Sequence, residues 1–248
     1  AQTEPVCVLL AMKAARPVRL TLTRQEELMA TYMRQASVCH LKVGAKADGR
    51  LVALQGDIIY DTGAYCDLMG LSPARLDLFL GPYNIPHVQF TAHRVYTNNT
   101  PRGHMRGPGG PQPCFAIESH LDMVARKLKM SPVEFRLQNA LEEGSAMSKG
   151  TVVLSPGIKE TLRRTGQFLA GAQKGPLQGW GVASLIWEGT NIKQVPASSA
   201  KVKINEDGTV VLVTGAPEQG GGPHTILSQI VAEVLGVPYE TVSVFSGD

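Results

Sequence analysis

A strand-like run that breaks into a loop of glycines and prolines, and then leads directly into a helix, limits the fold of this chain most strongly. The run ends at Tyr96, and an amphipathic helix is predicted to begin near Pro113. Gly107, Gly109 and Gly110 lie between them without a Cβ, so the backbone can adopt positive φ and approach a bulky ligand closely. The pattern therefore predicts a strand–loop–helix unit whose loop is accessible to a ligand.

Arg106 adds charge to this loop. Its guanidinium is a planar, permanently charged fork of donors. The helix start that follows offers unpaired N–H groups and a partial positive charge. Together they predict a site for an oxyanion or an anionic cofactor, although the residues alone leave a second interpretation open, a tight turn with a solvated arginine.

A second glycine-rich loop covers residues 215–222 and leads into a helix predicted over residues 226–235. This geometry also favours phosphate or another anion, while a plain turn is equally compatible with a run of glycines. The loop matches neither the P-loop pattern nor the dinucleotide-binding glycine pattern, so neither fold is indicated.

Alternating apolar runs flank an Asp-Gly pair twice, at Asp48-Gly49 and at Asp207-Gly208. This is the pattern of a tight β-hairpin. With the helices between and after them, the hairpins predict an α+β fold of mixed sheets and packed helices. Further helices are predicted over residues 5–15, 73–80 and 157–170, and further strands over residues 18–23 and 180–187.

The helix near Pro113 is predicted to have one buried and one solvated face. Glu118 and Asp122, one turn apart, are assigned to the solvated face. Ser131 and Glu134 then predict a capping box at the start of the next helix. The buried face consists of residues that recur at helical spacing, Ile117, Leu121, Val124 and Leu128.

Three parts are predicted along the chain. The first domain covers residues 1–145, a connection with one helix covers residues 146–178, and the start of a second domain covers residues 179–248. The first domain is expected to be incomplete at its N-terminus and the second at its C-terminus.

Composition argues against several classes of function. The net charge is +3 without a basic stripe, so nucleic-acid binding is not expected. The longest apolar run, residues 5–12, is too short to span a bilayer, so no membrane association is expected. The four cysteines have no paired spacing and the six histidines are dispersed, so the sequence predicts neither a protein-ligated metal site nor a disulfide framework.

Several runs occur in an order that resembles the large, molybdopterin-binding subunit of molybdenum hydroxylases. That family includes xanthine dehydrogenase, aldehyde oxidoreductase and the molybdenum-type carbon monoxide dehydrogenase. The resemblance covers most of the chain, and its most specific part is the arginine-containing loop with the helix behind it. The matching runs are residues 16–24, 61–65, 97–99, 106–112, 116–122, 132–139, 234–238 and 246–248.

The resemblance implies a role for both glycine-rich loops. Arg106 is implied to be catalytic, because it would orient the substrate or stabilise negative charge on it. The expected ligand is a molybdenum–pterin cofactor, for which the cytosine dinucleotide form is one option. The residues implied to bind the cofactor are Gly107, Gly109 and Gly110 in the first loop and Glu218, Gln219, Gly220 and Gly221 in the second.

The implied reaction hydroxylates an aldehyde or an N-heterocycle with oxygen derived from water. Electrons would leave through iron–sulfur clusters and FAD on partner domains or subunits, and the expected location is the cytoplasm. The chain departs from the family at Pro108, where xanthine-type enzymes carry an aromatic ring that stacks on the substrate. A second departure is at Gly221. The family's cofactor loop carries a glutamine at this position, whereas in this chain the glutamine is Gln219, two residues earlier. A purine substrate is therefore not favoured.

The resemblance also implies an internal fragment that is inactive alone, because relatives carry their catalytic glutamate far beyond the part that matches residue 248. Two alternatives belong to other classes of function. One is a cofactor-free structural or interaction domain of the same fold. The other is an unrelated anion- or nucleotide-binding protein that uses the two glycine-rich loops.

Overall fold

The computed structural model describes residues 3–65, 80–103, 105–107, 109–147, 152–186 and 198–246. The chain forms two compact units, Ala1–Glu188 and Gly189–Asp248. Each combines helices with a mixed three-stranded sheet, which confirms the predicted α+β class. The three-part division of the sequence stays a prediction. None of the helices in the described ranges has both the length and the apolar character that crossing a bilayer requires.

The sheet of the first unit has its longest strand at the centre. Strand β1 (Ser37–Ala45) pairs antiparallel with β2 (Leu51–Gly63) across the predicted Asp-Gly turn. Strand β3 (His87–Tyr96) pairs parallel with β2. On one face of β2, Leu54 and Ile58 are almost completely buried. The first hairpin and the strand before the arginine-containing loop are therefore confirmed.

Helix packing closes the core of this unit. Ile117 and Leu121 lie in the same apolar cluster as the buried side chains of β2, and Val124 and Leu128 pack against that cluster, which confirms the predicted buried face. The described part of the first unit contains α1 (Glu4–Ala14), α2 (Arg24–Ala30), α3 (Pro111–Lys127), α4 (Pro132–Asn139) and α5 (Ile158–Gly171).

The sheet of the second unit has the same strand order and directions. Strand β4 (Ala200–Ile204) pairs antiparallel with β5 (Val210–Thr214), which pairs parallel with β6 (Val242–Ser246). Helix α6 (Pro223–Leu235) and a short 3-10 helix (Tyr239–Thr241) connect β5 to β6. The second hairpin and the helix after the second loop are thereby confirmed.

Two predicted strands are wrong. Residues 18–23 and 180–186 have no regular structure, because neither segment finds a partner strand in the described parts of the chain. The first segment instead ends in a capping box at the start of α2. The side chain of Thr23 accepts a hydrogen bond from the backbone N–H of Glu26, and the side chain of Glu26 accepts one from the backbone N–H of Thr23. Nearly all of the helix predicted over residues 73–80 lies outside the described residues, as does Trp187.

The start of α4 confirms one prediction and corrects another. The helix begins at Pro132 after Ser131, as expected. Ser131, however, makes no side-chain capping bond, so the predicted capping box is not formed.

Candidate functional site

The arginine loop, residues 97–110, is anchored where β2 ends. The carboxylate of Asp61 accepts hydrogen bonds from the hydroxyl of Thr97 at 2.6 Å and from the side-chain amide of Asn99 at 2.7 Å. It also lies 3.6 Å from the guanidinium of Arg102. Burial opposes ionisation, but these hydrogen bonds outweigh it and hold the pKa of Asp61 below its usual value. Two motifs that are distant in the sequence, around Asp61 and around Thr97, therefore form one anchor.

A close approach of two backbones fixes the same end of the loop. Gly63, the last residue of β2, has a φ of 71°, and a Cβ at this position would lie 2.3 Å from the carbonyl oxygen of Thr100. No larger residue fits there without displacing the loop.

Of the three loop glycines for which the sequence allows positive φ, Gly107, Gly109 and Gly110, two adopt it. Gly107 and Gly109 have φ values of 73° and 74°. Gly110 has a φ of −83° and is the N-cap of α3, where its N–H donates to the carbonyl of Gly107 at 3.1 Å. The side chain of Arg106 is exposed. A charged donor therefore lies on a tightly turned loop just before the positive end of a helix dipole.

A segment that sequence reasoning did not single out holds this loop. The guanidinium of Arg34 donates to the carbonyl oxygen of Arg106 at 2.6 Å and to that of Gly107 at 3.1 Å. No local pattern signals such contacts, because they join residues 72 and 73 positions apart.

The neighbours of Arg34 bind the middle of the loop and the helix that follows it. The N–H of Gly103 donates to the carbonyl of Met33 at 3.2 Å, and the buried side-chain amide of Gln35 donates to the carbonyl of Gly103 at 3.3 Å. The side chain of Gln112, in the first turn of α3, donates to the carbonyl of Gln35 at 2.8 Å. We refer to residues 33–35 as the clasp.

A buried tyrosine adds a further contact from the core. The hydroxyl of Tyr60 donates to the carbonyl of Gly109 at 2.9 Å. Burial raises the pKa of Tyr60 well above its usual value, so the phenol stays protonated and keeps this donor at neutral pH. The arginine loop is thus fixed by β2, by the clasp and by the core.

The predicted solvated face of α3 is wrong for Glu118, which is buried, while the side chain of Asp122 is partly exposed. Glu118 is 7% exposed and accepts a hydrogen bond at 2.9 Å from Nε of Arg136, which is fully buried. Asp122 accepts from the same guanidinium at 2.6 Å. Glu118 also accepts from the hydroxyl of Tyr83 at 2.7 Å and from the N–H of Ser184 at 2.9 Å. These acceptors are engaged in structural contacts, which does not suit a general base.

The second loop, residues 215–222, contains an anion of its own. The carboxylate of Glu218 accepts hydrogen bonds from the N–H groups of Gly220 at 2.6 Å and Gly222 at 3.1 Å. The bond from Gly222 is the largest cause that lowers the pKa of this carboxyl. Gln219 and Gly221 are exposed. Part of the N–H set that was expected to bind an external anion is therefore satisfied within the loop.

The predicted site residues fall in both compact units. Arg106, Gly107, Gly109 and Gly110 belong to the first unit, and residues 218–221 belong to the second. Pro108 lies outside the described residues. Within the described ranges, no group of three or more histidine, cysteine, aspartate or glutamate side chains is arranged to hold a metal ion.

Comparison with known proteins identifies both parts of the chain. Residues 1–140 and residues 153–248 each match a family of molybdopterin cofactor-binding domains. The xanthine dehydrogenase molybdenum-binding subunit of Escherichia coli O157:H7 is 35% identical over 257 residues, covering 98% of this chain and 34% of the relative. The aldehyde oxidoreductase of Megalodesulfovibrio gigas is 33% identical over 229 residues, covering 89% of this chain and 25% of the relative.

A solved structure shows the same fold. Quinoline 2-oxidoreductase from Pseudomonas putida 86 aligns with a TM-score of 0.75 at 26% identity, covering 96% of this chain and 34% of that protein. The chain thus spans about a third or less of the length of these relatives.

Proposed function

Because the chain belongs to the molybdopterin cofactor-binding family of molybdenum hydroxylases, we propose that it is part of the catalytic subunit of an oxidoreductase that hydroxylates an aldehyde or an N-heterocycle with water-derived oxygen. Membership confirms the resemblance found in the sequence and rests on matches over residues 1–140 and 153–248. The substrate class is supported by relatives named for aldehyde and for quinoline oxidation.

One observation carries the proposal: an exposed arginine on a loop whose backbone is held in place. Arg34 binds the carbonyls of Arg106 and Gly107, and Tyr60 binds that of Gly109. A donor that is fixed before the reaction needs little reorganisation when charge develops on the substrate. In the proposal, the guanidinium of Arg106 orients the substrate and stabilises this charge.

Two features of the arginine loop support binding of an anionic pterin cofactor, the space beside Gly107 and the helix start that follows. Gly107 has open space on its Cβ side, since a Cβ there would lie 3.8 Å from its nearest neighbour, Pro111. Gly107 would contact the cofactor directly, while Gly109 and Gly110, which are buried, would form the turn behind it, with the start of α3 supplying positive potential. When bound, the molybdenum cofactor would supply the oxygen-transfer chemistry and accept the two electrons that leave the substrate.

In the proposal, the second loop would bind the cofactor with a different division of roles. Gly220 and Gly222 donate to Glu218, so Glu218 shapes the loop instead of leaving these donors to an incoming phosphate. Gln219 and Gly221 are exposed and would make the direct contacts, with Gly220 beside them. All four predicted residues therefore take part in cofactor binding in the proposal. Gln219, Gly220 and Gly221 would contact the cofactor, and Glu218 would hold the loop in shape.

The remaining parts of the proposed enzyme lie on partner domains or subunits. Iron–sulfur clusters and FAD would carry the electrons away, and the cytosine dinucleotide form of the pterin stays an option. A cytoplasmic location is part of the same proposal.

Pro108 stands where xanthine-type enzymes carry the ring that stacks on the substrate, so this chain lacks a contact of about 1 kcal/mol. We therefore propose aldehydes and N-heterocycles other than purines as the preferred substrates.

The experiment uses the full-length protein with its natural partners and a panel of aldehydes and N-heterocycles in ¹⁸O-labelled water. For N-heterocycles, mass spectrometry of the product is expected to show one label from the solvent for each turnover. For aldehydes, whose carbonyl oxygen itself exchanges with water, the expected result is a product without label when the reaction is run under ¹⁸O₂ in ordinary water. Incorporation from molecular oxygen instead, or no turnover across the panel by a preparation that contains the cofactor, would refute the proposed reaction.

A second candidate is a cofactor-free structural domain of the same fold. The satisfied N–H groups of the second loop favour it, because Glu218 already serves as their anion. Equilibrium dialysis with the pterin cofactor distinguishes the two candidates, since only the hydroxylase subunit should bind it.

A further inference from the structure

The proposed function gives the arginine loop its role, and the inference drawn here rests on it. We propose that Arg34 is a positioning residue, which acts through Arg106 and contacts no reacting atom. Its fork of N–H donors binds two successive carbonyls, those of Arg106 and Gly107. The proposal assigns to Arg34 the task of fixing the direction in which the Arg106 side chain leaves the backbone.

The geometry of the two bonds supports this role. The carbonyls of Arg106 and Gly107 belong to the peptide groups on either side of the Gly107 Cα, whose φ is 73°. Holding both oxygens fixes the orientation of both peptide planes and so limits rotation about ψ of each residue. The carbonyl of Gly107 also accepts the N–H of Gly110 at 3.1 Å, which links the same peptide to the start of α3.

The chemistry of arginine suits this contact better than that of lysine. The guanidinium is planar and presents its donors in a fixed fork, so a single side chain holds two acceptors at a defined separation. A lysine ammonium carries three rotatable donors on a compact head at the end of a flexible stem, so it does not hold two acceptors at a defined separation and in one plane. Charge-assisted hydrogen bonds are also about twice as strong as neutral ones.

The rest of the clasp makes an accidental contact implausible. Met33 and Gln35, on either side of Arg34, both bind Gly103, and the carbonyl of Gln35 accepts from Gln112. The segment therefore follows the second half of the loop, from Gly103 to the first turn of α3. Arg34 is half-buried and brings a second positive charge to this loop, which raises the potential that attracts an anion.

The test compares Arg34→Ala and Arg34→Lys in the full-length protein, with Arg50→Ala as the control. Arg50 is exposed and binds Asp48 in the β1–β2 turn of the same unit, away from the clasp. Hydrogen exchange of residues 103–112 is measured first, because it needs neither cofactor nor turnover. Arg34→Ala is expected to raise exchange at Gly110 by about tenfold or more, Arg34→Lys by less, and Arg50→Ala not at all.

Kinetics then separate positioning from general stability. With pterin content unchanged, Arg34→Ala is expected to lower kcat by about tenfold or more with little change in KM. Added guanidinium should restore part of the kcat of Arg34→Ala and none of that of Arg34→Lys, where the side chain fills the space.

Three results would overturn the inference. Unchanged exchange in Arg34→Ala would show that the loop does not depend on this contact. Exchange that rises equally in the β1–β2 hairpin would show a merely structural role, as would a kcat loss without rescue. Failure of the proposed function gives a different signature, a wild-type protein without pterin, and the exchange measurement still decides the role of Arg34 in that case.

Discussion

The guanidinium of Arg136 donates from Nε to the carboxylate of Glu118 at 2.9 Å, and both side chains are buried. This pair joins α4 to α3, the helix that follows the arginine loop. The same guanidinium binds Asp122 at 2.6 Å, so one buried cation is shared by two carboxylates. The position of α3, and with it one end of the loop, therefore depends on an ion-pair cluster inside the first unit.

Removal of the cation should destabilise the protein strongly. Arg136→Met is expected to lower the free energy of unfolding by about 3–5 kcal/mol, because it leaves the carboxylate of Glu118 buried without its partner. Urea unfolding measures the change. The control Arg126→Met removes an exposed arginine from α3 and should stay within about 0.5 kcal/mol of wild type. A double variant, Glu118→Gln with Arg136→Met, should recover part of the lost free energy of unfolding. If Arg136→Met and Arg126→Met lower the free energy of unfolding equally, the buried pair does not have this role.

The Asp61 anchor predicts a dependence of stability on pH. The pKa of Asp61 is lowered in the folded protein, so its contribution is fully present above the unfolded value of about 3.9. That contribution is lost as the pH falls from there through the folded pKa. Thermal unfolding between about pH 2 and pH 6 should therefore show a decline for wild type that is smaller for Asp61→Asn. Glu134→Gln controls for the loss of one exposed negative charge. Parallel profiles for wild type and Asp61→Asn would rule out the anchor.

Gly107 should be needed for its backbone conformation rather than for space. Gly107→Ala is expected to cost about 1–2 kcal/mol, because φ is 73° and an L-residue is strained there. Gly157→Ala is the matched control, since its φ is −75° and a Cβ at either position meets little or nothing. Chemical denaturation measures the free energy of unfolding of both variants, and an equal cost for Gly157→Ala would rule out backbone strain at Gly107.

Arg106 should matter for turnover and not for folding. Arg106→Lys keeps the charge but loses the planar fork, and we expect kcat/KM to fall about a hundredfold. The melting temperature should change far less than kcat/KM, because the side chain is exposed and lysine keeps its charge. Arg126→Lys, an exposed arginine of α3, serves as the control for kinetics. Normal turnover in Arg106→Lys would remove this residue from the proposed active site.

Local signals account for the elements that were predicted correctly. Asp-Gly pairs specify both hairpins, and apolar residues at helical spacing specify the buried face of α3. The glycines of the arginine loop likewise predict the positive φ values of Gly107 and Gly109. In each case the residues that determine the structure lie next to one another in the chain.

Long-range contacts account for what the sequence did not reveal. Arg34 reaches its acceptors across 72 and 73 positions, and no periodicity marks it. Glu118 is assigned to solvent by its polarity, yet Arg136, 18 positions later, makes a buried position possible. Residues 18–23 alternate like a strand, but in the described structure no neighbouring strand pairs with them. A single sequence does not show which distant partner is available.

The molybdenum and pterin content of the full-length protein, purified with its natural partners, decides whether the chain is part of a molybdenum-dependent catalytic subunit. We expect close to one molybdenum and one pterin per subunit, with iron and flavin in the complex. A well-folded complex without molybdenum or pterin, from cells that make the cofactor, would contradict this expectation.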